Sequence, residues 1–290
     1  MPVTAVSGST LATTNKVAFV TGASRGIGRE TALAFARAGF DVAISARTLD
    51  EGESHDHALR YADGSPLSGS LNATAAQIRA MGRKALVVRM DLLDSASVLD
   101  ASAAVFSEFG RVDVLVNNAI YQGSDLNLPF MQLQPDTLER VFQGYVMSPF
   151  LLTRAVVAGM VEQGGGVIIN VTSGAGETDP PVAAGKGGWG YAYGAGKAAV
   201  SRLSGILAVE LGESGIRGFT VNPGVVTTDA LKATIGDRGV IALRAGSAPP
   251  EVPAAVMLWL ATAEQAVDHQ RRTIACQPFA LEHGIVADWR

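Results

Sequence analysis

The chain has 290 residues, 48% of them hydrophobic and 17% charged, with a formal net charge of −4. That length holds one large α/β domain or two small ones, and the composition excludes a disordered polymer and a broad basic surface for nucleic acid. The single cysteine, Cys276, excludes an intramolecular disulfide framework and points to a reducing, cytoplasmic setting. The first residues are rich in Ser, Thr and Ala, with no basic stretch followed by an apolar one, so they do not read as a signal peptide. Residues 1–14 are expected to be a disordered tail and 15–290 a single domain. No apolar run approaches the ~20 residues that span a bilayer, so no membrane partner is expected.

In chain order, residues 16–21 (KVAFVT) read as a buried strand, and residues 27–38 as a helix that Gly39 stops. Residues 41–46 (DVAISA), 85–90 (ALVVRM), 112–117 (VDVLVN), 167–172 (VIINVT) and 217–222 (RGFTVN) are further strands separated by helix-length sequence. Residues 250–263 read as a helix packed on the sheet, and 273–276 begins a seventh strand. Near-continuous β-branched runs with helices between them predict an α/β fold: one doubly wound parallel sheet of the Rossmann type, about seven strands, helices on both faces. Such sheets bind ligands beyond the carboxyl ends of their strands. Two stretches break the alternation. Residues 48–70, polar and rich in Gly and Ser, read as an inserted surface loop. Residues 174–190, rich in Gly and Pro, fall just before Tyr193, where a loop can line a substrate cleft.

Thr21-Gly22-Ala23-Ser24-Arg25-Gly26-Ile27-Gly28 lies between the first strand and the first helix. Its glycines allow a sharp turn and the approach of backbone N–H groups to a pyrophosphate, and the helix N-terminus adds positive potential. The spacing, Gly-x-x-x-Gly-x-Gly, differs from the general dinucleotide fingerprint. It resembles the cofactor loop of the short-chain dehydrogenase/reductase family. Asn117-Asn118-Ala119-Ile120 resembles that family's NNAG element, with Ile120 in place of glycine. Ser173, Tyr193-Gly194-Ala195-Gly196-Lys197 and Asn222-Pro223-Gly224 match the remaining signatures in order. The likeness is strong over residues 15–230 and looser beyond, where the terminal glycine pair of many members is missing.

The resemblance implies a nicotinamide cofactor on Gly22, Ser24, Arg25, Gly26, Ile27 and Gly28. It places Asp91 and Leu92 at the adenine contact and Asn118 and Ala119 along the adenosine ribose. Pro223, Gly224, Val226 and Thr228 fall in the loop that seats the nicotinamide. The second strand ends in Ser45-Ala46-Arg47, where a site for NAD would put a carboxylate. Arg47 can instead pair with a 2′-phosphate through its planar fork of donors, with Arg25 adding a second charge. NADP(H) is therefore the expected cofactor, and NAD(H) the alternative.

Carbonyl reduction needs a hydride, a proton and a group that polarises the carbonyl. A tyrosine hydroxyl can give the proton, but with an ordinary pKa of about 10 it needs help near neutrality, and a nearby ammonium supplies it. Tyr193 and Lys197, four residues apart, share a helix face. By resemblance Tyr193 is the acid/base, Lys197 lowers its pKa and binds the nicotinamide ribose, and Ser173 orients the substrate. Tyr191 and Thr172 are rivals to Tyr193 and Ser173; position 195, four residues after Tyr191, is alanine. Where the family commonly carries an asparagine of a proton relay, alignment of 148–153 puts Tyr145. Either its hydroxyl replaces part of the relay or blocks the water, or the alignment is off by a turn and Tyr145 merely packs.

His55-Asp56-His57 lacks a third ligand at helical spacing, so no metal is expected. Cys276 reads as a small buried hydrophobe, Trp189 as a substrate contact and Trp259 as core. The expected function is an NADP(H)-dependent oxidoreductase interconverting a small-molecule carbonyl and an alcohol. A non-catalytic nucleotide-binding or redox-sensing protein is the alternative, and an epimerase or dehydratase a third reading. Substrate specificity is expected in 174–190 and 228–247. The family's pairing of the helices at 135–161 and 191–212 implies a homo-oligomer, a tetramer or dimer.

Overall fold

Strands that run as near-continuous apolar segments need cover on both faces, and that requirement shapes the molecule. The computed structural model describes residues 15–234, 246–286 and 289; the expected tail, 1–14, lies outside them. Seven strands, β1 (Val17–Thr21), β2 (Asp41–Ala46), β3 (Ala85–Arg89), β4 (Val114–Asn117), β5 (Gly166–Val171), β6 (Ile216–Asn222) and β7 (Thr273–Ala275), form one sheet in the order β3-β2-β1-β4-β5-β6-β7. Every neighbouring pair is parallel. The strand boundaries fall within two residues of those read from hydropathy.

Register sorts the strand side chains into two layers. Val20 is level with Ile44 and Val116, and the row continues through Ile169 and Phe219. These side chains pack under α1 (Gly26–Arg37), α2 (Leu71–Ala80), α7 (Glu251–Thr262) and α8 (Cys276–Glu282). Phe19, Ala43, Leu115 and Ile168 point the other way, under α3 (Ser95–Phe109), α5 (Ser148–Glu162) and α6 (Tyr191–Glu210). Strand order runs outward from β1 on one side and from β4 on the other. The crevice beyond their carboxyl ends is therefore the switch point at which such sheets take a ligand.

Residues 135 to 162 are helical throughout: α4 (Pro135–Phe142), a π-helical turn (Gln143–Met147) and α5. By length and hydropathy this run reaches what a membrane span needs. Polar residues interrupt the run, so the sequence shows no continuous apolar stretch there. Half of its most apolar window is buried inside the fold, with Val141, Leu152, Val156 and Met160 inaccessible to solvent, as in a core helix.

The 48–70 insertion lies on the surface but is anchored at several points. Thr48 and Leu67 are buried, the Leu59 N–H donates to the Gln122 carbonyl at 3.0 Å, and Ser70 caps α2 by accepting from the Ala73 N–H.

Candidate active site

β1 ends at Thr21, and the chain turns at Gly22 with φ +68°, a conformation that favours glycine. A Cβ on Gly28 would overlap the Gly22 carbonyl and stand 2.5 Å from the Asn118 Nδ2, so α1 can pack this closely only through a glycine. Asn118 Nδ2 donates to the Thr21 carbonyl at 2.9 Å. The Thr21 hydroxyl donates to the Val116 carbonyl and accepts from the Asn118 and Ala119 N–H groups, both at 3.0 Å. The loops after β1 and β4 are thus tied into one unit. α1 starts at Gly26, and Arg25 before it gives no side-chain cap, which leaves the first-turn N–H groups to another acceptor. A glycine cradle ending in an uncapped helix N-terminus fits a dinucleotide pyrophosphate.

Both arginines expected at the 2′-phosphate are engaged by the insertion. Arg25 donates from Nε to the Ser68 carbonyl at 2.7 Å and from Nη2 to the Leu67 and Gly69 carbonyls at 3.0 and 2.9 Å. Burial lowers its pKa, against the opposing charge of Glu51. Arg47 makes one such bond, from Nη1 to the Asp56 carbonyl at 2.9 Å. Asp91 turns its carboxylate back to accept from the Leu93 N–H at 2.9 Å, and the Leu92 carbonyl accepts from the Ser148 hydroxyl. The two histidines of the insertion face different neighbours: His55 stands 3.4 Å from Glu53, and the His57 ring is 6.3 Å from that of Tyr121.

At the end of β5 two adjacent hydroxyls point opposite ways. Thr172 is buried against α6, bonded to the Lys197 carbonyl at 3.1 Å and the Ser201 hydroxyl at 2.7 Å. Ser173 accepts from the Ala175 N–H, and its hydroxyl lowers the pKa of Tyr193 against the larger, raising effect of burial. Lys197, 3% exposed, donates from Nζ to the Val171 carbonyl at 2.8 Å, and burial brings its pKa down to about 7. Tyr145 is buried on the π-helical turn, its ring 6.3 Å from that of Tyr193 and edge-on to it. Tyr191 is exposed and meets the edge of Phe130.

The loop after β6 closes the other side. Gly224 has φ +72°, and its N–H donates to the Asn222 side chain. Gln277 of α8 donates to the Pro223 carbonyl at 3.2 Å and the Val225 carbonyl at 2.7 Å. Val226 bridges to Ala248. The Thr228 hydroxyl accepts from the Leu231 N–H, and a Cβ on Gly26 would lie 3.3 Å from the Thr228 methyl, so the loops after β1 and β6 meet there. The 174–190 segment is pinned by the Gly190 N–H donating to Asn127 Oδ1 at 3.0 Å. Trp189 lies close to Gly194, one residue after Tyr193. Part of the second expected specificity segment, 235–245, lies outside the described residues.

Thr21, Asn127 and Gln277 also shape the site, though no motif contains them as functional residues. Thr21 carried a signal: a polar residue ending an apolar strand has to spend its hydroxyl on something. Asn127 and Gln277 carried none. Gln277 is 54 positions from the carbonyl it holds, and only the fold brings them together. Cys276 beside it is buried, its thiol pushed up to about 12 by desolvation, which suits a packing residue. Trp259 stacks on His283 and meets Phe279 and His269 edge-on.

A glycine cradle at the switch point, opposite a serine, tyrosine and lysine, defines the class: a Rossmann-type oxidoreductase. The profile of the family described as short chain dehydrogenase matches residues 16–238, and the chain belongs to that family, whose members act on CH–OH or C=O groups. It is 33% identical over 220 residues to the 7alpha-hydroxysteroid dehydrogenase of Escherichia coli K12, covering 76% of this chain and 74% of that protein. It is 33% identical over 225 residues to the L-rhamnose 1-dehydrogenase (NAD(P)(+)) of Sphingomonas sp. SKA58, covering 77% of each. Among solved structures, a 7 alpha-hydroxysteroid dehydrogenase complexed with NADH and 7-oxo glycochenodeoxycholic acid superimposes with a TM-score of 0.72 at 29% identity, over 90% of this chain and 92% of that one.

Proposed function

We propose that the chain is an NADP(H)-dependent oxidoreductase that interconverts a small-molecule carbonyl and its alcohol, with Tyr193 as general acid/base. The observation that carries this reading is the corner where Ser173 acts on Tyr193, lowering its pKa against burial, while Lys197 lies buried one helical turn on. When bound, the nicotinamide supplies or accepts the hydride. Ser173 holds the substrate oxygen, and the Tyr193 hydroxyl gives it a proton in reduction and takes one in oxidation. The Lys197 ammonium favours the phenolate between those events and binds the nicotinamide ribose. Gly22, Ser24, Gly26, Ile27 and Gly28 hold the pyrophosphate, Asp91 and Leu92 the adenine edge, Asn118 and Ala119 the ribose side, and Pro223, Gly224, Val226 and Thr228 the carboxamide.

Preference for the phosphorylated cofactor rests on Arg47, with Arg25 behind it. The relatives' names carry both cofactor types, so this preference is a property of the present chain's β2 end. Exposed apolar side chains on the outer faces of α5 and α6, among them Phe150, Val161, Ile206 and Val209, support a homo-oligomer, dimer or tetramer, that covers them. The buried thiol of Cys276 suits a reducing cytoplasm. The test is a panel of ketones, aldehydes and alcohols assayed with NADPH/NADP+ and NADH/NAD+, alongside a mass measurement in solution. Turnover with NADPH well above NADH and a multimeric mass are expected. Equal use of both cofactors refutes the preference, no turnover refutes the activity, and a monomer at micromolar concentration refutes the assembly.

A further inference from the structure

Tyr145 is among the largest fully buried side chains of the described residues, 1% exposed. It sits on the π-helical turn between α4 and α5; such turns widen a helix locally and recur at functional sites. Its ring lies against α6 at Gly196, where a Cβ would stand 2.8 Å from Tyr145 Cδ1. The next residue is Lys197, whose Nζ is 5.5 Å from the centroid of the same ring. Tyr193 meets the ring edge-on. The hydroxyl is placed very differently. It has no hydrogen-bond partner among the described residues, and burial, with Tyr193 and Tyr121 nearby, holds its pKa well above the usual tyrosine value.

We infer that the ring of Tyr145, not its hydroxyl, is a positioning element that seats the Lys197 ammonium, and that Gly196 provides the gap that admits it. The inference rests on the proposed role of Lys197 in proton transfer. A buried amine needs compensation to stay charged. Around this one stand the Val171 carbonyl from β5 and the Tyr145 ring from the π-helical turn, with Tyr193 and Tyr121 near that ring in turn; burial lowers its pKa, and among the described residues no carboxylate opposes that. An aromatic face attracts a cation, most strongly where both are desolvated. Removing the ring leaves burial less opposed. The amine then loses its proton at lower pH, and any step that needs the ammonium loses its alkaline limb earlier.

The test reads the amine itself. The chain's lysines are Lys16, Lys84, Lys186, Lys197 and Lys232, few enough to follow by carbon-13 NMR of their Cε atoms in the full-length protein, with Lys197→Met assigning the signal. Tyr145→Phe should leave the Lys197 titration in place. Tyr145→Leu should lower its midpoint by about one pH unit and move the alkaline limb of the kcat/KM profile with it. Should Tyr145→Leu fail to fold, Gly196→Ala displaces the ring without changing residue 145 and should shift the midpoint the same way. An unmoved midpoint in Tyr145→Leu, or in Gly196→Ala where that stands in, overturns the inference; so does a fall in Tyr145→Phe, which would hand the role to the hydroxyl. A midpoint that falls while the rate profile stays fixed upholds the seat and counts against Lys197 in proton transfer.

Discussion

The two ends of the cleft are built by different means. At the phosphate end the work is done by backbone: Gly22 turns the chain, Gly28 lets α1 approach, and Thr21 and Asn118 tie the loops together through bonds of about 3 Å. At the proposed catalytic end it is done by side chains whose properties come from burial: a lysine brought to about 7, a tyrosine raised by burial against one serine, and a second tyrosine whose hydroxyl has no partner among the described residues. A backbone cradle tolerates no added atom, whereas a buried ionisable corner depends on its neighbours' charge and polarisability. Substitutions at the two ends should therefore fail in different ways: loss of cofactor affinity at the first, loss of rate and altered pH dependence at the second.

The largest effect is expected from Lys197→Met, which removes the buried ammonium and with it both roles proposed for it, lowering the Tyr193 pKa and holding the ribose. Turnover should fall by roughly 10²–10⁴-fold, the range of general acid–base catalysis, and cofactor affinity should fall with it. The same variant separates catalysis from stability. The unfolded chain keeps this proton up to about 10.5, while the folded protein releases it near 7. Between those values the unfolded state binds more protons, so this residue's contribution to stability rises with pH across the window. Thermal melts from pH 7 to about 10 should show that rise in the unmodified protein and lose it in Lys197→Met. A variant with unchanged turnover and unchanged melts would remove the contrast between the two ends.

Next in size is the cofactor preference. Replacing Arg47 by Asp should erase about 1.5–3 kcal/mol of preference for NADPH, read as the ratio of kcat/KM for the two cofactors. Arg25→Gln should change that ratio less, because three insertion carbonyls already hold that guanidinium. It should instead make residues 51–67 easier to cleave by protease. A larger change in the ratio from Arg25 than from Arg47 would reverse the assignment. Gly28→Ala, which forces an atom onto the Gly22 carbonyl, should cost about 1–3 kcal/mol of stability or binding, with NADPH affinity lost and the pH profile unmoved. The smallest effect is expected from Gln277→Ala. Two carbonyls of the nicotinamide loop lose a donor, worth about 1 kcal/mol, so KM for NADPH should rise several-fold with little change in kcat.

The same contrast sets what could be read from the sequence. All seven strands were visible, because a covered parallel strand is a continuous apolar run and Gly39 or Gly224 marks where the chain leaves an element. The cradle was visible because glycine spacing is itself the mechanism. The corner was visible only as letters. Nothing in Tyr-Gly-Ala-Gly-Lys says that its second glycine makes room for Tyr145, that Thr172 turns inward while Ser173 acts on Tyr193, or that a residue 54 positions away holds the loop after β6. The insertion looked like an appendage, yet it binds both Arg25 and Arg47, an arrangement of backbone carbonyls that no residue pattern announces. The helix at 135–162 hid its length behind polar interruptions that the fold either buries or turns to solvent.

The central claim is that Tyr193 is the proton donor opposite a dinucleotide cradle, and single-turnover oxidation of bound NADPH by a carbonyl substrate, compared between the unmodified protein and Tyr193→Phe, tests it most directly. The variant keeps the ring and its packing and loses only the transferable proton. NADPH binding should be retained and the hydride-transfer rate should drop by at least roughly 10²-fold. A Tyr193→Phe protein that oxidises NADPH at the unmodified rate would contradict the account and move the search for the acid to Ser173 or Tyr191.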